Sequence, residues 1–260
     1  MTTQHKSIAD EFHKYFQVML ANSEHLLNEA CEVRFRVYCE EFKYEDPARF
    51  PDRRECDEYD DQSVHCVVIH RASGVTAGCV RMVPTLREDP AALLPFEKYC
   101  AESLDRDFID SLRLDRATMC EISRLAVDGR FRRRPGEQSS RYGDSDGINL
   151  SADEQRTAPF IAISAYLAAT AVTDMTGRTN VFAMMEPFLP RLLKRSGLHF
   201  SRAGDDIDYH GKRGAYFIKT EAALASMRPD LRELYECVHG ELFPNGPARD
   251  IELAALRAHA

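Results

Sequence analysis

Residues 120–127 read CEISRLAV. Polar and apolar side chains alternate there, the period of a half-buried β-strand. At that period Glu121 and Arg124 fall on opposite faces unless a bulge adds a residue between them. Upstream, residues 63–70 (SVHCVVIH) and 76–84 (TAGCVRMVP) are rich in β-branched residues and are joined through Ser73-Gly74, so they read as a hairpin. Downstream, residues 160–175 form an apolar helical run that ends near Gly177, and 180–185 is a strand. A short helix follows over 187–196, with Pro187 in its first turn and Gly197 at its end. Residues 198–202 and 215–220 read as two further strands.

The flanks are helical. In residues 7–21, Ile8, Phe12, Tyr15, Phe16, Met19 and Leu20 share one helical stripe, and 24–42 continue as a second helix. Residues 44–61 hold Pro47, Pro51 and many acidic groups, which predicts an irregular loop. Residues 86–118 carry weak helical patterns. Residues 129–156 open on GRFRRRPG and read as a polar loop or lid. The tail from residue 221 is helical, with breaks at Pro229, Pro244 and Pro247. There is no internal repeat. The expected fold is α/β: one domain over 1–260 with a central mixed β-sheet flanked by helices, and 221–260 as a helical C-terminal extension.

Composition narrows the function. The 34 basic and 42 acidic residues leave a net charge of −8, which speaks against nucleic acid as a partner. The most apolar stretch, 160–172, is interrupted by Ser164 and Thr170 and falls short of the roughly 20 apolar residues of a transmembrane segment. The first 16 residues lack the apolar centre of a secretion signal. Eight cysteines occur without a CxxC pair, an argument against a zinc ribbon or a dithiol redox motif. They read as reduced thiols of a cytoplasmic protein.

Several clusters can carry chemistry. Glu55-x-Asp57-x-x-Asp60 places three carboxylates in six residues, suited to an amine, a metal or arginines, or simply to a solvated loop. It lacks the glycine and the closing glutamate of a calcium loop. Arg81 stands between Val80 and Met82 in an apolar strand, and points either to solvent or to a buried carboxylate. Arg34 and Tyr38 share a helix face, with Arg36 and Tyr44 nearby. The basic run Arg130, Arg132, Arg133, Arg134, with Arg141 further on, follows a strand directly, a setting able to hold phosphate. His65, His70, His199 and His210 lack metal-ligand spacing and are taken as structural. No GxSxG, Walker or GxGxxG motif is present.

In their order these pieces resemble a known group. Arg34-x3-Tyr38-x5-Tyr44, Glu55-x-Asp57-x2-Asp60, Arg81 before Pro84-Thr85, and Glu121-x-x-Arg124 are similar to the signature of the acyl-homoserine-lactone (autoinducer) synthases of the GNAT superfamily. The likeness covers about residues 30–130. Greater length, the segment LLPFEKYC, the segment YHGKR at 209–213 and the long tail resemble more closely the PEP-CTERM/exosortase system-associated acyltransferases and the related N-acyl amino acid synthases. Two departures stand out. Tyr38 and Tyr44 occupy places usually held by Phe and Trp in the autoinducer synthases, and the stretch between Arg81 and Glu121 is longer.

The resemblance implies an N-acyltransferase with a GNAT-type fold. It would move a fatty acyl group from an acyl carrier protein or coenzyme A thioester to a primary amine, such as an amino acid. No permanent cofactor and no metal are expected; the thioester is a co-substrate, and the partners are the carrier protein and a small-molecule amine. The resemblance assigns Glu121 and Arg124 to catalysis. It assigns Arg34, Tyr38, Tyr44, Glu55, Asp57, Asp60 and Arg81 to the substrate site. Arg130, Arg132, Arg133 and Arg134 fall to the phosphopantetheine or the carrier surface. The alternatives are a homoserine-lactone synthase using S-adenosylmethionine and a non-catalytic acyl-ligand sensor.

Overall fold

The computed structural model describes residues 7–132, 150–245 and 251–257. Seven strands form one mixed sheet in the order β1-β2-β3-β4-β5-β7-β6. They are β1 (Phe16–Leu20), β2 (Val64–His70), β3 (Thr76–Pro84), β4 (Met119–Val127), β5 (Asn180–Met185), β6 (Ser201–Asp208) and β7 (Lys212–Lys219). Neighbours are antiparallel except β4 and β5. A parallel pair needs a long crossover, and helix α7 (Phe160–Met175) lies within that connection.

On one face α7 packs with α1 (Ile8–Tyr15) and α10 (Pro229–Leu242) over Val18, Cys66, Val68, Val80, Met82, Cys120 and Ile122. Buried Ala165, Ala168, Ala169 and Ala171 thin α7, so it lies close to the strands. At Gly78 in β3 a Cβ would stand 2.9 Å from both Ile161 Cγ2 and the Ala126 carbonyl oxygen. The other face is divided. Helix α2 (Glu24–Arg34) covers Val67, Ile69, Cys79 and Ala126, while Leu94, Phe96, Phe182 and Phe217 form a separate apolar patch. On β3, Cys79 belongs to the first patch and Val83 to the second. Arg81, two residues from each, is set between them.

Three elements depart from the sequence reading. Residues 16–20 leave the helix and form β1, because β2 offers an open edge and Phe16 and Val18 bury on alternate positions. The second helix ends at Arg34 and continues as a wider π-helical turn, Phe35–Glu41. The two late strands run as a longer hairpin, turning at 209–211. Within the C-terminal segment, α10 buries Leu231, Leu234, Tyr235 and Val238 in the main core.

Candidate active site

The strand 120–127 carries the bulge that its sequence left open. Cys79 pairs with Ala126, but Arg81 pairs with Ser123, so two residues of β4 answer one of β3. Arg124 takes a left-handed φ of +52°. A regular pleat would turn Arg124 toward the apolar layer that holds Cys120 and Ile122. The bulge instead presents Ser123 and Arg124 on the face of Arg81 and Glu121. Arg81 Nε donates to Ser123 Oγ at 3.1 Å, and Arg124 donates to Glu55 and Asp57. Left-handed backbone at a non-glycine residue costs about 1–2 kcal/mol, which these charge-assisted bonds offset.

Three arginines and three carboxylates interlock there. Arg34 Nε donates to Glu55 Oε2 at 2.6 Å, and its two terminal nitrogens reach Asp60 at 2.7 and 3.0 Å. Arg81 Nη1 donates to Asp57 Oδ1 at 2.6 Å and to Asp60 Oδ1 at 2.8 Å. Arg124 Nη2 donates to Asp57 Oδ2 at 2.9 Å. Arg34 and Arg81 are both 1% exposed. The set is neutral, as buried charge requires. Burial alone would raise the Asp60 carboxyl, but Arg34 and Arg81 outweigh it and hold Asp60 well below the usual range. Glu55 and Asp57 are likewise lowered, against their own burial, by Arg34 with Arg124 and by Arg81 with Arg124. His65 lies 3.5 Å from Asp60, yet burial pushes its imidazole down to about 4, so it is neutral near pH 7. Among the described residues the buried Arg81 Nη2 has no hydrogen-bond partner.

Beside this network the sheet opens. Strands β4 and β5 pair only through Met119, Cys120 and Glu121. Among the described residues β4 has no strand partner on that side from Ile122 onward. Glu121 stands at the fork, 3% exposed. Burial pushes its carboxyl up to about 7, against a 2.7 Å hydrogen bond from the Phe96 N–H and the pull of Arg81 and Arg124. A carboxyl balanced near neutrality is suited to accept and release a proton.

Aromatic residues wall the opening. The Tyr38 hydroxyl donates to the Leu125 carbonyl at 2.9 Å, and its ring stacks with Tyr44, which stacks in turn on Phe42. In the β6–β7 turn Tyr209 stacks on Tyr99, and Arg213 of β7 lies 5.4 Å from the centre of the Tyr44 ring. Burial raises the Tyr209 hydroxyl to about 12, and the charges of Arg124 and Glu121 both act on it. On the sheet's opposite face Ile122, Val181 and Ile218 line a small cavity with Tyr166, Thr170 and Thr173 of α7.

The structure therefore gathers Arg34, Glu55, Asp57, Asp60, Arg81 and Arg124 into one network, with Glu121 adjoining and Tyr38 and Tyr44 as a wall. Arg36 turns away to Asp128, which also holds Arg130. Arg132 reaches Glu41 and the Val127 carbonyl. Arg133, Arg134 and Arg141 lie outside the described residues. Sequence reasoning gave no site role to Ser123, and it quoted the segments that hold Phe96 (LLPFEKYC) and Tyr209 and Arg213 (YHGKR) only as marks of resemblance. For Ser123 the only available signal was the E-x-x-R spacing read as a bulge.

This architecture matches known proteins. Residues 33–140 match the family model described as "Acetyltransferase (GNAT) domain". Among solved structures the fold is similar to TofI in a ternary complex with an inhibitor and MTA, at 20% identity and a TM-score of 0.58 over 83% of this chain and 99% of that one. It is also similar to BjaI, a CoA-dependent acyl-homoserine lactone synthase with SAM and isopentyl-CoA, at 17% identity and a TM-score of 0.53 over 86% and 89% of the two chains. FeeM, an N-acyl amino acid synthase from uncultured soil microbes, aligns at 12% identity and a TM-score of 0.52 over 82% and 94%. No curated protein matches the sequence. At these identities the structural likeness establishes the GNAT-type fold. Together with the domain match over residues 33–140, that fold supports an N-acyltransferase activity. Among the described residues no helix is long and apolar enough to cross a membrane.

Proposed function

We propose that the protein moves a fatty acyl group from a carrier-protein or coenzyme A thioester to the primary amine of an amino acid or related small molecule. The observation that carries this reading is the parting of β4 from β5 immediately after Glu121, whose carboxyl is balanced at about 7. Unpaired backbone along β4 offers hydrogen bonds to an extended thioester arm and donors to the carbonyl oxygen as charge develops on it. The amine nitrogen attacks the thioester carbon. Its proton passes to Glu121, directly or through a water, the C–S bond breaks, and the thiol leaves. Arg124 orients the site; its guanidinium is held by Glu55 and Asp57.

Arg213 supports an acceptor that carries a carboxylate. Among the described residues its buried Nε has no hydrogen-bond partner, and its charge acts on Tyr38 at the wall of the opening. Arg130 and Arg132, with Arg133 and Arg134, remain the candidate donor-docking loop, in which Asp128 and Glu41 position the first two. A place near the PEP-CTERM/exosortase-associated group belongs to the same reading and rests on YHGKR, LLPFEKYC and the tail, while a place in the cytoplasm rests on eight cysteines without a CxxC pair and on an N-terminal stretch without an apolar centre.

The test is incubation of the purified protein with acyl-carrier-protein and acyl-CoA thioesters and, separately, an amino-acid panel, the matching decarboxylated amines and S-adenosylmethionine. The reading expects an N-acyl amino acid and a free thiol by mass spectrometry. Release of methylthioadenosine would point to lactone synthesis instead, and thioester binding with no amide from any amine would point to a sensor.

A further inference from the structure

Outside the chemistry above, one pair of side chains stands out. Cys31, buried in α2, and Cys56, exposed between Glu55 and Asp57, face each other with their sulfurs 2.7 Å apart. The Glu55 N–H donates to the Cys31 carbonyl at 3.1 Å, so the backbone of the acidic loop is already pinned to the helix at this point. We propose that Cys31 and Cys56 are a covalent modification site, converted to an intramolecular disulfide by a low-molecular-weight disulfide of the glutathione class.

The chemistry balances. The Cys56 thiolate attacks one sulfur of the small disulfide and expels a thiolate. The Cys31 sulfur, giving its proton to solvent, then attacks the Cys56 sulfur and expels the second. Two protein thiols are oxidised and one disulfide is reduced to two thiols. Cys56 is the attacking group: its hydrogen bond with Cys31, and then the Arg34 guanidinium, lower its thiol below the ordinary range. Five other cysteines (Cys39, Cys66, Cys79, Cys100 and Cys120) are buried, and their thiols are raised by burial. A bond length of about 2.05 Å asks for only a small approach from the present separation, so Glu55 and Asp57 keep their arginines. Asp60 lies close enough to both sulfurs to complete a metal site, but its oxygens already take Arg34 and Arg81, whose charges repel a cation.

The test treats the full chain with glutathione disulfide and follows it by intact mass, peptide mapping and thermal melting. The expected product has lost two hydrogens, yields a Cys31–Cys56 cross-linked peptide, melts roughly 5 °C higher and reverts with dithiothreitol. Cys56→Ser and Cys31→Ser should each abolish the cross-link. Equal alkylation of both thiols before and after treatment would overturn the proposal. So would a lasting glutathione adduct on Cys56 with Cys31 still free, or zinc bound stoichiometrically through this pair. None of these readouts depends on acyl transfer.

Discussion

Arg81 and Arg124 grip opposite oxygens of one carboxylate: Arg81 meets Asp57 Oδ1 at 2.6 Å and Arg124 meets Oδ2 at 2.9 Å. Through Asp57 the hairpin strand β3 fixes the bulge of β4. Asp57 is the most exposed of the three network acids, with its side chain 25% accessible. Asp57→Asn should therefore leave the protein folded while it loosens Arg124, lowering turnover by about tenfold or more with little change in melting temperature. Asp60→Asn strands two buried guanidiniums and should cost about 3–5 kcal/mol in urea unfolding. Equal destabilisation by the two variants would contradict this division.

Gly78→Ala tests how closely α7 lies on the sheet. The added methyl meets the Ala126 carbonyl and the Ile161 side chain at 2.9 Å, so one of them must shift. A loss of about 1–3 kcal/mol is expected by denaturant titration. Unchanged stability would mean that α7 sits further out.

Much of this was legible in the residues. The hairpin, β4, α7 and β5 declare themselves through β-branched runs or a long apolar helix bounded by glycine. The acidic triad and the arginines are visible as types out of place in an apolar strand or crowded in a loop. What stays hidden is tertiary. Phe16 and Val18 fit a helical stripe as well as a strand, and only the open edge of β2 decides. The basic loop looks free in sequence, yet Asp128 and Glu41 hold Arg130 and Arg132. Arg213 shows in sequence only as the end of YHGKR, and its place over Tyr44 comes from the pairing of β7 with β6.

Arg213 should act on the acceptor's carboxylate. Arg213→Gln is expected to raise KM for an amino-acid acceptor about tenfold, while leaving use of the matching decarboxylated amine unchanged. A parallel loss with both acceptors would remove the carboxylate role.

Stability should bend with pH in two directions. Asp60, Glu55 and Asp57 have lowered carboxyls, so their contribution is present above about pH 4 and is lost as the pH falls below it. Glu121 works the other way. Its carboxyl rises from 4.5 to about 7 on folding, so its contribution is full below 4.5 and is lost as the pH climbs through 7. Urea midpoints for the wild type should decline over that upper window, and those for Glu121→Gln should not. Parallel curves would contradict the buried carboxyl.

The most direct measurement is kcat/KM against pH for acyl transfer, wild type beside Glu121→Gln. The wild type should lose activity on the acid side with a midpoint of about 7. Glu121→Gln should be slower by about 100-fold or more, with that limb gone and donor binding intact. An equal rate and an unshifted acid limb in Glu121→Gln would contradict proton transfer to Glu121 at the fork of β4 and β5.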